Sequence, residues 1–168
     1  MRQTQPRTAI HANWLMPTLH RLWQINPQPL QQLGLNPETP QLWYELETWL
    51  QLLELLPQYG ISAEQVGVIM GRTYPFSRVE SIAAVLTQLG EDYVRTHNEP
   101  ADCWRVCEQG PRMVCVTTRT PYPDDFELGL IRTAAERFAP PQTSLNIQQF
   151  HSTPRLIAYN TRTYLITW

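Results

Sequence analysis

The spacing of apolar residues changes once along this chain, and that change limits the folds that the chain can adopt. Up to residue 97 the apolar residues recur at helical spacing, as on one face of an amphipathic helix. After Asn98-Glu99-Pro100 the runs shorten. In the last segment, Tyr164, Ile166 and Trp168 alternate with threonine and leucine, as in a half-buried strand. The sequence therefore predicts a helical first part followed by a mixed second part.

The first part predicts four main helices, and two of them begin at recognisable signals. Their expected ranges are 11–24, 42–56, 63–71 and 78–97. Ser62 with Gln65, and Ser77 with Glu80, each match a capping box. In that motif a serine hydroxyl accepts a bond from a backbone N–H near the helix start, and the side chain three residues later returns the bond. The last two helices should therefore start directly after Ser62 and Ser77.

The second part predicts short strands around one further helix. The expected strands are 103–108, 112–118, 145–151, 155–159 and 163–168. A hairpin at Gly110-Pro111 joins the first two strands. The expected helix covers 123–139, because Pro123, Asp124 and Asp125 suit a first helical turn and its dipole. Hairpins of this kind give mostly antiparallel pairing.

The predicted fold class is therefore α+β. A helical N-terminal half should pack on a mostly antiparallel sheet of four to five strands, with residues 123–139 as the one crossover helix. The length of 168 residues suits a single domain over 1–168, and the polar residues 1–9 are expected to be flexible.

Charge and composition exclude several classes of function. The formal net charge is −2, and no block of like charges occurs, so nucleic-acid binding through phosphate contacts is not expected. All 13 cationic residues are arginine, which excludes Schiff-base chemistry and a phosphate-binding P-loop lysine. The apolar runs are too short for an integral membrane protein. An odd number of cysteines without a signal peptide predicts a cytoplasmic location.

The three cysteines do not form a metal-binding pattern. Cys103 and Cys107 would share one face of a strand but stand about 13 Å apart, too far to bind one zinc ion. Cys115 is the third cysteine, and no two of the three have the Cys-x-x-Cys spacing of a zinc knuckle. We therefore interpret all three as small buried apolar residues in a hairpin.

Histidines and carboxylates likewise give no catalytic or metal-binding group. The four histidines, His11, His20, His97 and His151, are scattered along the chain. His20 lies among aromatic residues of the first helix and is the candidate for an axial heme ligand, although a lone helical histidine is more typical of a surface position. Adjacent carboxylates diverge on a helix, so no acid–base pair is expected. The sequence predicts no catalytic residue, no metal ligand and no required cofactor.

Three stretches resemble a known superfamily of ligand-binding domains. They are residues 103–116, residues 120–132 and the final 163–168, together with Trp43 and Gly71-Arg72 in the helical part. The superfamily includes the bacterial four-vinyl-reductase domain, bacterial heme/NO-associated sensor domains and the Bet-type subunits of the TRAPP trafficking complex. This chain is most similar to an uncharacterised bacterial branch. Residues 155–168 hold no cysteine, unlike many four-vinyl-reductase members, so a metal or redox site is not expected there.

The resemblance implies a ligand-binding, dimerising or scaffolding domain rather than an enzyme. Trp104, Tyr122, Phe126 and Gly129 are the candidate ligand or interface residues, because they cluster around the hairpin exit and the crossover helix. A simpler interpretation is that these rings fill the core.

Three functional hypotheses remain open from the sequence. The first is a non-enzymatic regulatory or adaptor domain that acts through protein contact, as a homodimer or in a larger complex, gated by a small apolar ligand. The alternative is a small-molecule sensor that binds heme, a tetrapyrrole or a lipid in a hydrophobic pocket. A second alternative is an enzyme with Cys107 or Cys115 as nucleophile.

Overall fold

The described residues form six α-helices, one short 3-10 helix (Leu56–Tyr59), a four-stranded sheet and a small two-stranded sheet. The computed structural model describes residues 9–77, 79–97, 103–151 and 161–168, without the side chain of residue 151. The helices are α1 (Ala12–Ile25), α2 (Gln28–Gln32), α3 (Leu46–Leu55), α4 (Ala63–Thr73), α5 (Ile82–His97) and α6 (Asp124–Phe138). The strands are β1 (Ala9–His11), β2 (Trp43–Glu45), β3 (Trp104–Gly110), β4 (Met113–Thr118), β5 (Asn146–His151) and β6 (Arg162–Thr167). Across these residues, no helix combines the length and the apolar character that a membrane crossing requires.

The main sheet confirms the predicted α+β class. Its strand order is β3-β4-β6-β5, and every neighbouring pair is antiparallel. One face of the sheet is buried under the helices through Val114, Val116, Tyr164 and Ile166. Helix α6 crosses over between β4 and β5, as expected for residues 123–139. The strand predicted over 155–159 lies outside the described residues.

The start of the chain differs from the prediction because of a long-range pairing. Strand β1 pairs antiparallel with β2, with Ala9 opposite Glu45 and His11 opposite Trp43. Residues 43–45 are therefore extended, and α3 begins at Leu46 rather than within a helix over 42–56. Ala9 is already buried in β1, whereas residues 1–8 lie outside the described residues.

One of the two predicted capping boxes is confirmed and the other is wrong. At α4, Ser62 Oγ accepts from the backbone N–H of Gln65, and the Gln65 side chain accepts from the N–H of Ser62. Helix α5 begins at Ile82, four residues after the expected start. Ser81 Oγ accepts from the N–H of Ala84 there, while Ser77 bonds the side chain of Gln88 instead. A tertiary contact of Ser77 has replaced the local one.

Helices α4 and α6 cross at very close range through glycines. A Cβ atom at Gly129 would overlap the carbonyl oxygen of Glu64, and one at Gly67 would overlap the carbonyl oxygen of Phe126. Only a residue without a side chain lets two helix backbones approach this closely. Gly129 therefore sets the distance between α6 and α4.

Replacing Gly129 with alanine should lower the free energy of unfolding by about 1–3 kcal/mol, because the new methyl group must push α4 and α6 apart. That loss exceeds the gain of about 0.5–1 kcal/mol that alanine brings to an ordinary helix position. Urea denaturation measures the difference. Gly110→Ala is the control, since a Cβ there meets no atom within 4 Å. Equal stability of the two variants would contradict the close crossing.

Candidate functional site

A cluster of aromatic rings surrounds one buried histidine where α1, α5 and α6 meet. The ring of His97 stacks on Tyr93 with a centroid distance of 4.1 Å. Trp14 of α1 meets His97 edge-on at 5.3 Å, and Tyr122 meets it edge-on at 5.7 Å. Phe126 of α6 lies 4.9 Å from Tyr122. We call these five residues the His97 cluster.

The hydrogen bonds of His97 define its tautomer. Nδ1 lies 2.9 Å from the carbonyl oxygen of Tyr93, which can only accept, so Nδ1 carries the proton. Nε2 then has a free lone pair and accepts from the hydroxyl of Tyr122. Burial lowers the pKa of His97 to about 3, against a weaker opposing effect of the bond to Tyr93. The imidazole is therefore neutral at physiological pH, with one anchored nitrogen and one basic nitrogen facing the cluster.

Helix α1 brings two further polar groups to the interior. Within the described part of the chain, neither the indole Nε1 of Trp14 nor Oγ1 of Thr18 has a hydrogen-bond partner, and both atoms are buried. The two residues lie one helical turn apart and so share a face of α1. Unsatisfied buried polar groups are costly, so a water molecule or a bound ligand at these two atoms would supply the missing bonds.

The four residues predicted from the sequence are all buried, and three of them meet at this cluster. Tyr122 and Phe126 belong to it, and Trp104 lies 6.1 Å from Tyr93. The ring of Trp104 also covers Gly90, and its Nε1 donates to the carbonyl of Leu86 at 3.2 Å. The fourth residue, Gly129, lies at the crossing of α4 and α6. Trp104 also lines an open hollow of about 270 Å³ between α5 and β3, and a ligand role for the four residues remains a prediction.

A second buried polar group ties α6 to the sheet. Glu127 is fully buried and accepts bonds from Thr118 at 2.8 Å, from Tyr164 at 2.9 Å and from Thr120. Nη1 of Arg162 lies 3.4 Å from the same carboxylate. Burial raises the pKa of Glu127, and the charge of Arg162 and the hydrogen bonds oppose that shift. The group joins α6, β4 and β6 around one carboxylate.

Neither His97 nor Glu127 was predicted from the sequence, although each continues an apolar stripe. His97 follows Leu89 and Tyr93 at intervals of four on α5. Glu127 precedes Leu130 and Ile131 at intervals of three and four on α6. A polar residue in register with an apolar helical face is the signal that could have identified both.

The residues predicted as metal or heme candidates lie elsewhere. His20 is exposed on α1, so it is not placed to bind a heme in the interior of the protein. Cys103 is buried as expected, but Cys107 is exposed and Cys115 is half-buried, so the interpretation as buried apolar residues is wrong for these two. Within the described ranges, no three histidine, cysteine or acidic side chains are grouped to hold a metal ion.

Surface hollows lie away from the cluster. A polar groove of about 820 Å³ runs between α5, the residues before it and β3, and Asp92, Arg95 and Cys107 are among its lining residues. A more apolar hollow of about 410 Å³ lies along α4, next to the half-exposed Ile25. Neither includes His97. In this conformation the His97 cluster is closed by its own rings.

Comparisons with known proteins identify the fold. No family model and no curated protein matches the sequence. A structure concerning heme distortion in the H-NOX family has a TM-score of 0.68 at 11% identity, covering 95% of each chain. An oxygen-binding H-NOX domain related to soluble guanylate cyclases, in its oxygen complex, has a TM-score of 0.65 at 12% identity and covers 93% of this chain and 91% of its own. An H-NOX variant of T. tengcongensis has a TM-score of 0.61 at 13% identity, covering 90% and 92%.

These neighbours show that the chain has an H-NOX-like fold over nearly its whole length. They support the heme/NO-associated part of the resemblance at the level of fold. They give no support to its four-vinyl-reductase and TRAPP parts. At such low identity, the residues of the chain itself must carry any functional conclusion.

Proposed function

We propose that this chain is a non-enzymatic sensor domain that recognises a small ligand at the His97 cluster. The observation that carries the proposal is the neutral, buried imidazole of His97, whose Nδ1 is anchored on Tyr93 and whose Nε2 faces inward. A histidine buried at this depth needs a hydrogen-bond donor or a metal at its second nitrogen. In this structure the hydroxyl of Tyr122 is the donor to Nε2, and a bound ligand would replace it.

The chemistry of the cluster narrows the class of ligand. Nε2 of His97 requires a hydrogen-bond donor or a Lewis acid, and Nε1 of Trp14 requires an acceptor. The rings of Tyr93, Tyr122 and Phe126 favour a flat apolar body between these polar points. A tetrapyrrole, a heme or another flat apolar molecule with polar edges meets all three requirements.

His97 is the residue that would bind the iron of a heme. A neutral imidazole that donates its other N–H to a backbone carbonyl is the usual form of a metal-bound histidine. A bound heme would supply an iron atom able to bind a diatomic gas. Of the similar structures, one concerns heme distortion and another is an oxygen-binding H-NOX domain, which adds weight to heme among the possible ligands.

The volume of the cluster does not fit a heme in the closed conformation. Trp14, Tyr93 and Tyr122 pack around the His97 ring at centroid distances between 4.1 and 5.7 Å. Ligand uptake therefore requires the Tyr122 side chain to leave Nε2. Because Tyr122 directly precedes the Pro123 cap of α6, that movement would be transmitted to the start of α6. This is the proposed link between ligand binding and a change in the fold.

A hemin titration followed by visible absorption tests the proposal. Wild-type protein should produce the shifted absorption band of an imidazole-bound heme, and His97→Ala should weaken binding at least about tenfold. Tyr122→Phe removes the competing hydroxyl and should tighten binding about fivefold, the value of one ordinary hydrogen bond. His20→Ala is the control with an exposed histidine and should behave as wild type.

Two results would argue against this assignment. Equal binding by wild type and His97→Ala would show that hemin adheres elsewhere. A titration without any band shift would exclude heme as the ligand. Native mass spectrometry of freshly purified protein would then test for another flat apolar ligand. Absence of both a heme band and a co-purified molecule would contradict the sensor function.

The other two hypotheses from the sequence remain predictions. An adaptor or homodimer that uses Trp104, Tyr122, Phe126 and Gly129 lacks support, because all four side-chain positions are buried. Size-exclusion chromatography with light scattering tests the homodimer directly. A cysteine-dependent enzyme has no supporting contact to Cys107 or Cys115 from a base among the described residues.

A further inference from the structure

Cys107 and Cys115 face each other across two neighbouring strands. They are paired directly in the antiparallel register of β3 and β4. The backbone N–H of Arg119 donates to the carbonyl of Cys103 at 2.7 Å, which marks that pair as a hydrogen-bonded one. Since the two pair types alternate, Cys107 and Cys115 also form a hydrogen-bonded pair, with Cα atoms about 5.5 Å apart.

Both side chains lie on the sheet face that the helices do not cover. Val114 and Val116, on either side of Cys115, are fully buried on the opposite face. Cys107 is exposed, and Cys115 is half-buried. Nε2 of Gln109 lies 3.2 Å from the sulfur of Cys107 and donates to it. A reagent in solution can therefore reach this pair of thiols.

We infer that Cys107 and Cys115 form a dithiol site that closes reversibly to an intramolecular disulfide. The oxidant is a low-molecular-weight disulfide, R–S–S–R. The Cys107 thiolate attacks one of its sulfurs, forms a mixed disulfide and releases one RSH, which takes up the proton lost by Cys107. The Cys115 thiolate then attacks the sulfur of Cys107 and releases the second RSH. Two cysteine thiols are oxidised by two electrons, and the external disulfide is reduced to two thiols.

The register explains why closure is feasible and why it should be reversible. A Cα separation of about 5.5 Å lies within the range of about 4.4–6.8 Å found for disulfides. In a hydrogen-bonded pair, however, the Cβ atoms stand wider apart than the roughly 3.8 Å that a relaxed disulfide prefers. The strands must therefore be drawn together, and such strain makes a disulfide easier to reduce.

Oxidised glutathione and peptide mapping test this inference on the full chain. Trypsin should cut after Arg105, Arg112 and Arg119, which places Cys107 and Cys115 on separate peptides. After oxidation, the two peptides should be recovered as one linked pair under non-reducing conditions. Two of the three thiols should then no longer react with iodoacetamide, and a reducing agent should restore the reactivity of both.

Single variants separate this outcome from simple surface modification. Cys115→Ser should keep glutathione on Cys107 as a stable mixed disulfide, because the remaining thiol, Cys103, is buried and does not lie opposite Cys107. Cys103→Ser should still give the linked peptides. A wild-type protein that retains glutathione on Cys107 beside a free Cys115 would overturn the inference, as would a disulfide that joins two chains. Hemin binding plays no part in this test, so its result is independent of the proposed sensor function.

Discussion

Replacing Glu127 with alanine is expected to lower the free energy of unfolding by about 3–5 kcal/mol. The carboxylate is fully buried, and its removal would take from the buried guanidinium of Arg162 one of its two carboxylate partners, leaving only the half-exposed Asp124. It would also leave the hydroxyls of Thr118 and Tyr164 without their acceptor. Breaking one side of a buried ion pair costs far more than the pair contributes, because the remaining charge stays desolvated. Urea denaturation at neutral pH measures the loss.

Two further variants show that the effect belongs to the buried network. Glu136→Ala lies on the exposed side of the same helix and should change stability by less than about 0.5 kcal/mol. Glu127→Gln keeps one acceptor oxygen for a hydroxyl but loses the charge. Its stability should therefore fall between that of Glu127→Ala and that of wild type. Similar stability of Glu127→Ala and wild type would contradict the burial of this carboxylate.

The second large effect concerns the stability of the protein in acid. The folded-state pKa of His97 is about 3, below its ordinary value of about 6.5, because burial disfavours the charged ring. The unfolded chain therefore binds a proton more readily than the folded one. Stability supplied by neutral His97 is present above about pH 6.5 and is lost as the pH falls towards 3. Between pH 7 and pH 4 we expect wild type to lose about 3 kcal/mol through this group alone.

His97→Gln isolates this contribution because glutamine does not titrate. The variant should be less stable than wild type at pH 7, and the gap should shrink by about 3 kcal/mol by pH 4. Glu127 has a raised pKa and acts in the opposite direction, but it is present in both proteins and cancels in the comparison. A gap that stays constant with pH would show that the pKa of His97 is not lowered in the folded state, which would contradict the burial of its ring.

Local patterns allowed much of the fold to be predicted. The helix that follows Ser62, the hairpin around Gly110, and the crossover helix after Pro123 all depend on residues within a few positions of one another. Their capping bonds, turns and apolar periodicity depend only on residues within the same short segment, so they can be identified without knowing the tertiary structure. For the same reason, the alternation of apolar residues from Tyr164 to Trp168 identified the last strand. The α+β class follows from these elements together.

The candidate site could not be predicted in the same way, because its contacts join distant parts of the chain. His97 and Tyr122 are 25 residues apart, and Arg162 reaches Glu127 over 35. Both His97 and Glu127 continue apolar stripes, but a stripe does not show which partner makes a buried polar residue tolerable.

Long-range pairing also sets where elements begin and which side chains meet. Pairing with β1 keeps residues 43–45 extended despite their helical spacing, and the bond from Ser77 to Gln88 removes the expected cap of α5. The register of β3 on β4 sets Cys107 opposite Cys115, and a shift of one residue would separate them. Most helices and strands were thus predictable from the amino-acid order, because they depend on local spacing. The buried site and the cysteine pair were not, because burial and register arise from contacts between segments that lie far apart in the chain.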